Sequence, residues 1–219
     1  MADYWYDCWY HVKTCGIVRL KNSRIINFDY EPTHYFELQK IFTQLPFSKD
    51  SHLIDYGCGK GRVLLMAALY GCPRVTGIDL NSDLCRIAES NIARLRTHKG
   101  INTDIQVMEQ DAIQYKIDPS INCFFFFNPF HLKVFIYVLK NIQNSVLQSP
   151  RDIRLIFLKP QKSTIWQVEK MRFFTLQTIM ENPRCLVYTY SPDAAVSASD
   201  NMKENAEETI SLCGEGGKR

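Results

Sequence analysis

The residues best suited to chemistry are Asp55-Tyr56-Gly57-Cys58-Gly59-Lys60-Gly61, the later acids Asp79 and Asp111, and the triplet Asn128-Pro129-Phe130. Glycines alternating with other residues let a backbone turn sharply and approach a ligand that any Cβ would push away. Such a loop is a cradle for a nucleoside. A dinucleotide loop spaces its glycines G-x-G-x-x-G and sets a pyrophosphate over the following helix. Here the spacing is G-x-G-x-G, Arg62 stands where the last of those glycines belongs, and Asp55 precedes the first. A carboxylate at that place attracts an ammonium or sulfonium and repels a pyrophosphate, which counts against a nicotinamide dinucleotide.

Asp79 follows the glycines by roughly 20 residues, where a carboxylate at a strand end accepts hydrogen bonds from both ribose hydroxyls. Two assignments stand for it: the ribose, or an ordinary helix start that Asn81 or Ser82 also caps. Asp111 is a suitable acceptor for an amino group or a solvated surface acid.

Positioning these groups requires strands that end beside one another. His52–Ile54 is a short buried run. Beyond the glycines, apolar spacing turns helical from about Gly61 to Tyr70, stopped by Gly71 and Pro73. Arg74–Asp79 reads as a second strand, 83–95 as an amphipathic helix closed by a basic turn at 97–100, and 105–108 as a third strand. Cys123–Phe127 shows no alternation and must be covered on both faces, as a central strand of a parallel sheet is. A helix over His131 to Leu147, a strand over Ile153–Leu158, a short helix over 164–171 and a hairpin of 173–179 with 185–190 complete an α/β pattern. Upstream, residues 1–29 are aromatic but aperiodic, a strap packed on the domain or a lid. Pro32 opens a helix running through Phe42 that would bring Tyr30, Glu31 and Thr33 to a pocket mouth, with His34 and Tyr35 as packing.

At Asp55–Gly61 the chain resembles class I S-adenosylmethionine-dependent methyltransferases, whose first motif is D-x-G-x-G-x-G. The order of elements extends this resemblance from about Tyr30 to Tyr190. It implies a three-layer αβα sandwich with a Rossmann-like, mostly parallel seven-stranded sheet ending in an antiparallel hairpin. The implied domains are an N-terminal strap and helix over 1–45 and a catalytic domain over 46–190, while the composition after Tyr190, rich in Ser, Ala, Asp, Glu, Lys and Gly with few large apolar residues, predicts a mostly disordered tail over 191–219. The implied cofactor is S-adenosylmethionine, with S-adenosylhomocysteine as product. Its implied contacts are Asp55, Tyr56, Gly57, Cys58, Gly59, Gly61, Asp79, Leu80, Asp111, Ala112 and Asn128, with Asp111 on the adenine amine. Tyr30, Glu31 and Thr33 would face the acceptor.

Asn128-Pro129-Phe130 resembles the [DN]-P-P-[YF] motif of amino methyltransferases, with one proline where that motif has two. The resemblance implies catalytic positions for all three residues and methyl transfer to a nitrogen of a protein or small molecule. A strand terminator with a core phenylalanine is the other reading. An oxygen acceptor, a nucleic-acid base and a cofactor-binding protein without activity are the alternatives.

Composition narrows the field further. At 219 residues and net charge +3, one α/β core is accommodated and nucleic acid is neither announced nor excluded. The eight cysteines lack metal-ligand spacing, so no metal and free thiols in a reducing compartment are expected. No apolar run approaches the ~20 residues of a membrane span and the N-terminus lacks a signal pattern, so a cytoplasmic protein is expected. Oligomeric state is not encoded in any pattern.

Overall fold

A computed structural model describes residues 2–18 and 30–192. The expected disordered tail, beyond Pro192, and residues 19–29 of the N-terminal strap lie outside the described residues. Seven strands form one sheet in the order β3-β2-β1-β4-β5-β7-β6. They are β1 (His52–Tyr56), β2 (Arg74–Asp79), β3 (Asp104–Glu109), β4 (Cys123–Phe126), β5 (Ile153–Leu158), β6 (Thr175–Glu181) and β7 (Arg184–Tyr190). All pairings are parallel except those of β7, which runs antiparallel to β5 and β6. This is the mostly parallel α/β sandwich expected from the sequence.

Period-two burial splits the core between the two faces of the sheet. Leu53, Val75, Cys123, Phe125 and Ile156 join one apolar cluster with α2 (Tyr35–Gln44), α3 (Arg62–Leu69) and α4 (Ser82–Lys99). Ile54, Ile78, Phe124, Phe126 and Leu155 join the other, under α5 (Leu132–Gln148) and α6 (Lys162–Lys170). Successive side chains of a strand point to opposite faces, so the unbroken run Cys123–Phe126 supplies both clusters.

Several boundaries differ from the sequence expectation. Strand β1 extends to Tyr56 and carries Asp55 inside it, buried to 4% exposure. The expected basic turn at 97–100 is the last turn of α4, closed by Gly100 at φ +62. The helix expected to open near Pro32 begins at Tyr35, leaving 31–34 outside any helix or strand, with His34 extended as its N-cap.

The largest difference is at the N-terminus, where the supposedly aperiodic segment contains helix α1 (Ala2–Tyr10). Its inner face is Asp3, Tyr6, Asp7 and Tyr10, while Tyr4, Trp5 and Trp9 are 69%, 57% and 55% exposed. Acids inside and aromatics outside conceal the apolar stripe by which an amphipathic helix is usually found. What turns the acids inward is Arg62, 2% exposed at the first position of α3. Its Nη1 donates to Asp3 Oδ2 (2.7 Å) and to the Thr33 carbonyl (2.8 Å), its Nε to Thr14 Oγ1 (2.7 Å) and its Nη2 to Cys15 Sγ (3.1 Å). Asp7, also buried, accepts from the Thr14 amide and hydroxyl, the Cys15 amide and the Tyr35 hydroxyl. Asn91 of α4 pins the same segment through the Lys13 amide and carbonyl.

Removing one member of a buried ion pair leaves the other charge uncompensated. Arg62→Met is therefore expected to lower the unfolding free energy in urea by about 3 kcal/mol or more. Arg62→Lys should not restore it, because a single ammonium cannot reproduce a fork with this many partners.

Candidate active site

Strand order places a crevice where open α/β sheets bind ligands. From β1 the chain moves outward to β2 and β3, then returns to the opposite side with β4 and β5. Beyond the carboxyl ends at that reversal the loops part, and a cavity of about 810 Å³ opens there. That volume is near the upper end for small-molecule sites.

Of the residues singled out from the sequence, Asp55, Tyr56, Gly57 and Cys58 line this cavity from β1 and its loop. Asp79, Leu80, Asp111 and Ala112 line it from the ends of β2 and β3. Asn128, Pro129 and Phe130 do so from the end of β4, and Tyr30, Glu31 and Thr33 from the N-terminal strap. Gly59 and Gly61 stand behind the wall. A Cβ on Gly59 would lie 2.2 Å from the Tyr30 ring, and one on Gly61 3.1 Å from Ala88 Cβ. Both have positive φ, so the glycines shape the turn and admit protein neighbours. Gly57 alone of the three lines the cavity, and a Cβ there would meet Pro129 at 3.0 Å.

Asp79 joins the loop to the second strand. Its Oδ2 accepts from the Gly59 amide and its Oδ1 from the Asn81 amide, both at 2.9 Å. The helix cap is Asn81, whose Oδ1 accepts from Asp83 and Leu84, so Asp79 is not needed for that. An ionised carboxylate offers about four lone-pair sites, which leaves acceptor capacity facing the cavity. Asp111 is half-buried, with Oδ1 accepting from the Ile113 amide. Asn128 has φ +44, a region asparagine tolerates better than most residues, and its Nδ2 donates to the Lys159 carbonyl at 3.0 Å. Phe130 meets the Tyr56 ring edge to face, and Tyr56 stacks on Phe126.

The sequence did not point to Ile17, Phe127, Val134 and Gln161, which are also on the wall. No spacing rule marks them, since each reaches the cavity from a different segment. Gly77 was also passed over; a Cβ there would be 2.8 Å from Cys58 Sγ. His131, at the start of α5, is exposed and not among the residues that line the cavity.

Desolvation, with the Asp79 charge adding to it, holds the Asp55 carboxyl well above the ordinary aspartate range. Burial also raises Asp79, against the lowering effect of the Asn81, Gly59 and Leu80 amides. For an acid raised in the folded state, the native protein binds the extra proton. Stability is then lost as pH rises from the ordinary value of 3.8 through the folded one. Asp55→Asn is accordingly expected to melt about 3 °C or more above the parent at neutral pH without ligand, with the gap closing in acid.

The cavity suits a nucleoside bearing a positive charge: carboxylates sit at the ends of β1, β2 and β3, and the glycine turn leaves the wall open at Gly57. Comparison with known proteins agrees. Residues 53–146 match the family described as a methyltransferase domain. No curated protein matches the chain. Among solved structures, precorrin 8W decarboxylase of Methanobacterium thermoautotrophicum is 21% identical, with a TM-score of 0.53 over 73% of this chain and 92% of that one. An RNA methyltransferase from Salinibacter ruber, solved with S-adenosyl-L-homocysteine, is 14% identical, with the same TM-score and coverages. Ribosomal protein L11 methylase of Lactobacillus delbrueckii subsp. bulgaricus is 16% identical, with a TM-score of 0.52 over 74% and 79%. Residues 53–146 thus match a methyltransferase domain, and the chain shares the Rossmann-like fold of these solved structures.

Proposed function

We propose that the protein transfers the methyl group of S-adenosylmethionine in line to a nitrogen of a small molecule or protein side chain, at the face of the cavity formed by Asn128, Pro129 and Phe130. The observation that carries this is the meeting of three groups far apart in sequence, the Gly57 turn, the Asp79 carboxylate and Asn128, around one cavity. Asp79 would accept from the ribose hydroxyls, Asp111 beside Ala112 from the adenine amine, and Asp55 would face the positive charge. Tyr56, Cys58 and Leu80 would complete that wall. We also take 46–190 as the catalytic domain and 1–45 as its cap.

Bound there, S-adenosylmethionine supplies a methyl carbon activated by its sulfonium. The chain's own contribution is to hold a nucleophile at attack distance and exclude competing water. With its Nδ2 engaged by Lys159, Asn128 presents Oδ1 as an acceptor, and the Pro129 carbonyl is a second. Two acceptors on the nitrogen's hydrogens aim its lone pair at the methyl group, while Phe130 packs against the acceptor. The fold is shared by proteins with different acceptors, so it does not itself select nitrogen.

Calorimetry with S-adenosylhomocysteine should show one site per chain, weakened roughly tenfold or more in Asp79→Ala through lost charge-assisted hydrogen bonds. Absence of heat in the parent would remove the proposal. Binding of the cationic cofactor favours ionised Asp55, so titrations in buffers of different ionisation enthalpy should reveal proton release, absent in Asp55→Asn. In extracts supplied with labelled S-adenosylmethionine, Asn128→Ala should transfer about a hundredfold less label than the parent.

A further inference from the structure

With Asp3 and Asp7 turned in toward Arg62, the outer side of α1 is left with Tyr4, Trp5 and Trp9, each more than half exposed. Single apolar residues on a surface are ordinary, whereas a cluster of large exposed rings marks a place where something binds. Trp5 and Trp9 stack with centroids 5.4 Å apart, and Lys99, at the end of α4, sets its Nζ 4.8 Å over the Trp9 ring. Next to them the rings of His11 and His98 stack at 3.9 Å. Lys13 and Arg94 are exposed alongside: the Lys13 backbone is bonded to Asn91, and Arg94 lies one turn of α4 from both Asn91 and His98. Glu89, two residues before Asn91, projects from the other side of that helix. The face thus sets exposed tryptophans beside the cations of Lys13, Arg94 and Lys99.

This face is continuous with the cavity. From Trp9 the chain runs through Lys13 to Ile17, which is exposed and lines the cavity. Eight residues of extended chain span at most about 29 Å, so a partner segment of that length laid along the strap touches the tryptophans at one end and the cavity at the other. A small acceptor held in the cavity touches none of them. Protein interfaces concentrate their affinity in aromatic anchors with a charged rim, and cations on one side call for carboxylates on the other. A nucleic-acid strand would stack its bases on open ring faces. Here Trp9 already has Trp5 and Lys99 against its ring, and Trp5 also meets Tyr6 edge to face.

We infer that the methyl acceptor is a side chain of a protein, and that a segment of acidic and aromatic residues near the methylated position docks on the face made by α1 and the last turns of α4. This rests on the methyltransferase reading above and narrows its acceptor to a protein.

The test uses the full chain and follows the anisotropy of fluorescein-labelled glutamate–tyrosine random copolymer, polyglutamate and poly(U). The copolymer is expected to bind at least tenfold more tightly than polyglutamate or poly(U). Joint reversal by Lys13→Glu and Lys99→Glu should weaken it about tenfold, and so should Trp5→Ser. Calorimetry with S-adenosylhomocysteine, matching the parent in each variant, reports that the fold is intact. In extracts supplied with labelled S-adenosylmethionine, the parent's label should be released by protease and not by ribonuclease, and should fall about tenfold in the double variant. The inference is overturned, and the methyltransferase reading left in place, by copolymer binding no tighter than polyglutamate, by equal or tighter binding of poly(U), by an unchanged copolymer affinity in either variant, or by label in ribonuclease-sensitive or small-molecule fractions. If S-adenosylhomocysteine fails to bind the parent, or the parent transfers no label, both fall together.

Discussion

A guanidinium buried at the first position of a helix is doubly disfavoured, by lost hydration and by the positive end of the helix dipole. Arg62 is in that position, directly after the glycine turn. Anions and carbonyls from outside the sheet domain must answer it, and here they come from the first 33 residues. Asp3 and Asp7 on α1, Thr14 and Cys15 on the strap, and the Thr33 carbonyl converge on one side chain. Its guanidinium also lies 4.3 Å over the Tyr35 ring, a contact that gains strength when desolvated. The N-terminal segment is therefore part of the structure and not an ornament on it.

The same cluster builds one wall of the site. Holding the strap against α3 brings Tyr30 over Gly59, where its hydroxyl donates to the Thr14 carbonyl at 2.7 Å. Lys60 closes the arrangement from the loop itself, with Nζ on the Cys15 and Gly16 carbonyls and 4.9 Å above the Tyr30 ring. The glycine turn is thereby fixed from two sides, by Asp79 through the Gly59 amide and by the strap through Lys60 and Arg62. A loop clamped in this way is already shaped before ligand arrives, and less ordering cost attends binding.

Opposite that wall, two neighbouring residues with left-handed backbone, Asn128 and Lys159, end β4 and β5. The bond from Asn128 to the Lys159 carbonyl couples them, and the Lys159 amide is held in turn by the Arg184 carbonyl of β7. Strained backbone of this kind persists only where surrounding contacts over-determine it. The antiparallel β7, far along the chain from the glycine turn, thus helps to set where Asn128 stands.

Much of this was legible in the residues themselves. β2 and β5 were delimited to the residue, because short apolar runs between Gly, Pro and acidic residues leave little choice of boundary. The nucleoside-type loop followed from three glycines and an acid, and the unbroken Cys123–Phe127 run announced a central strand that the structure ends at Phe126. Helix α1 was not legible. Its inward acids make sense only once a buried arginine from residue 62 is beside them, a partner some sixty positions away that no local periodicity encodes. Nor could the sequence say that Gly59 makes room for Tyr30 and Gly61 for Ala88, since a glycine reports that space is needed and not what fills it. The residue types determined the sheet, its order of elements and the chemistry at each strand end, because propensity and burial act locally. Only the tertiary structure decided which acids face the cavity and which balance Arg62, because electrostatic pairing depends on distances across the fold.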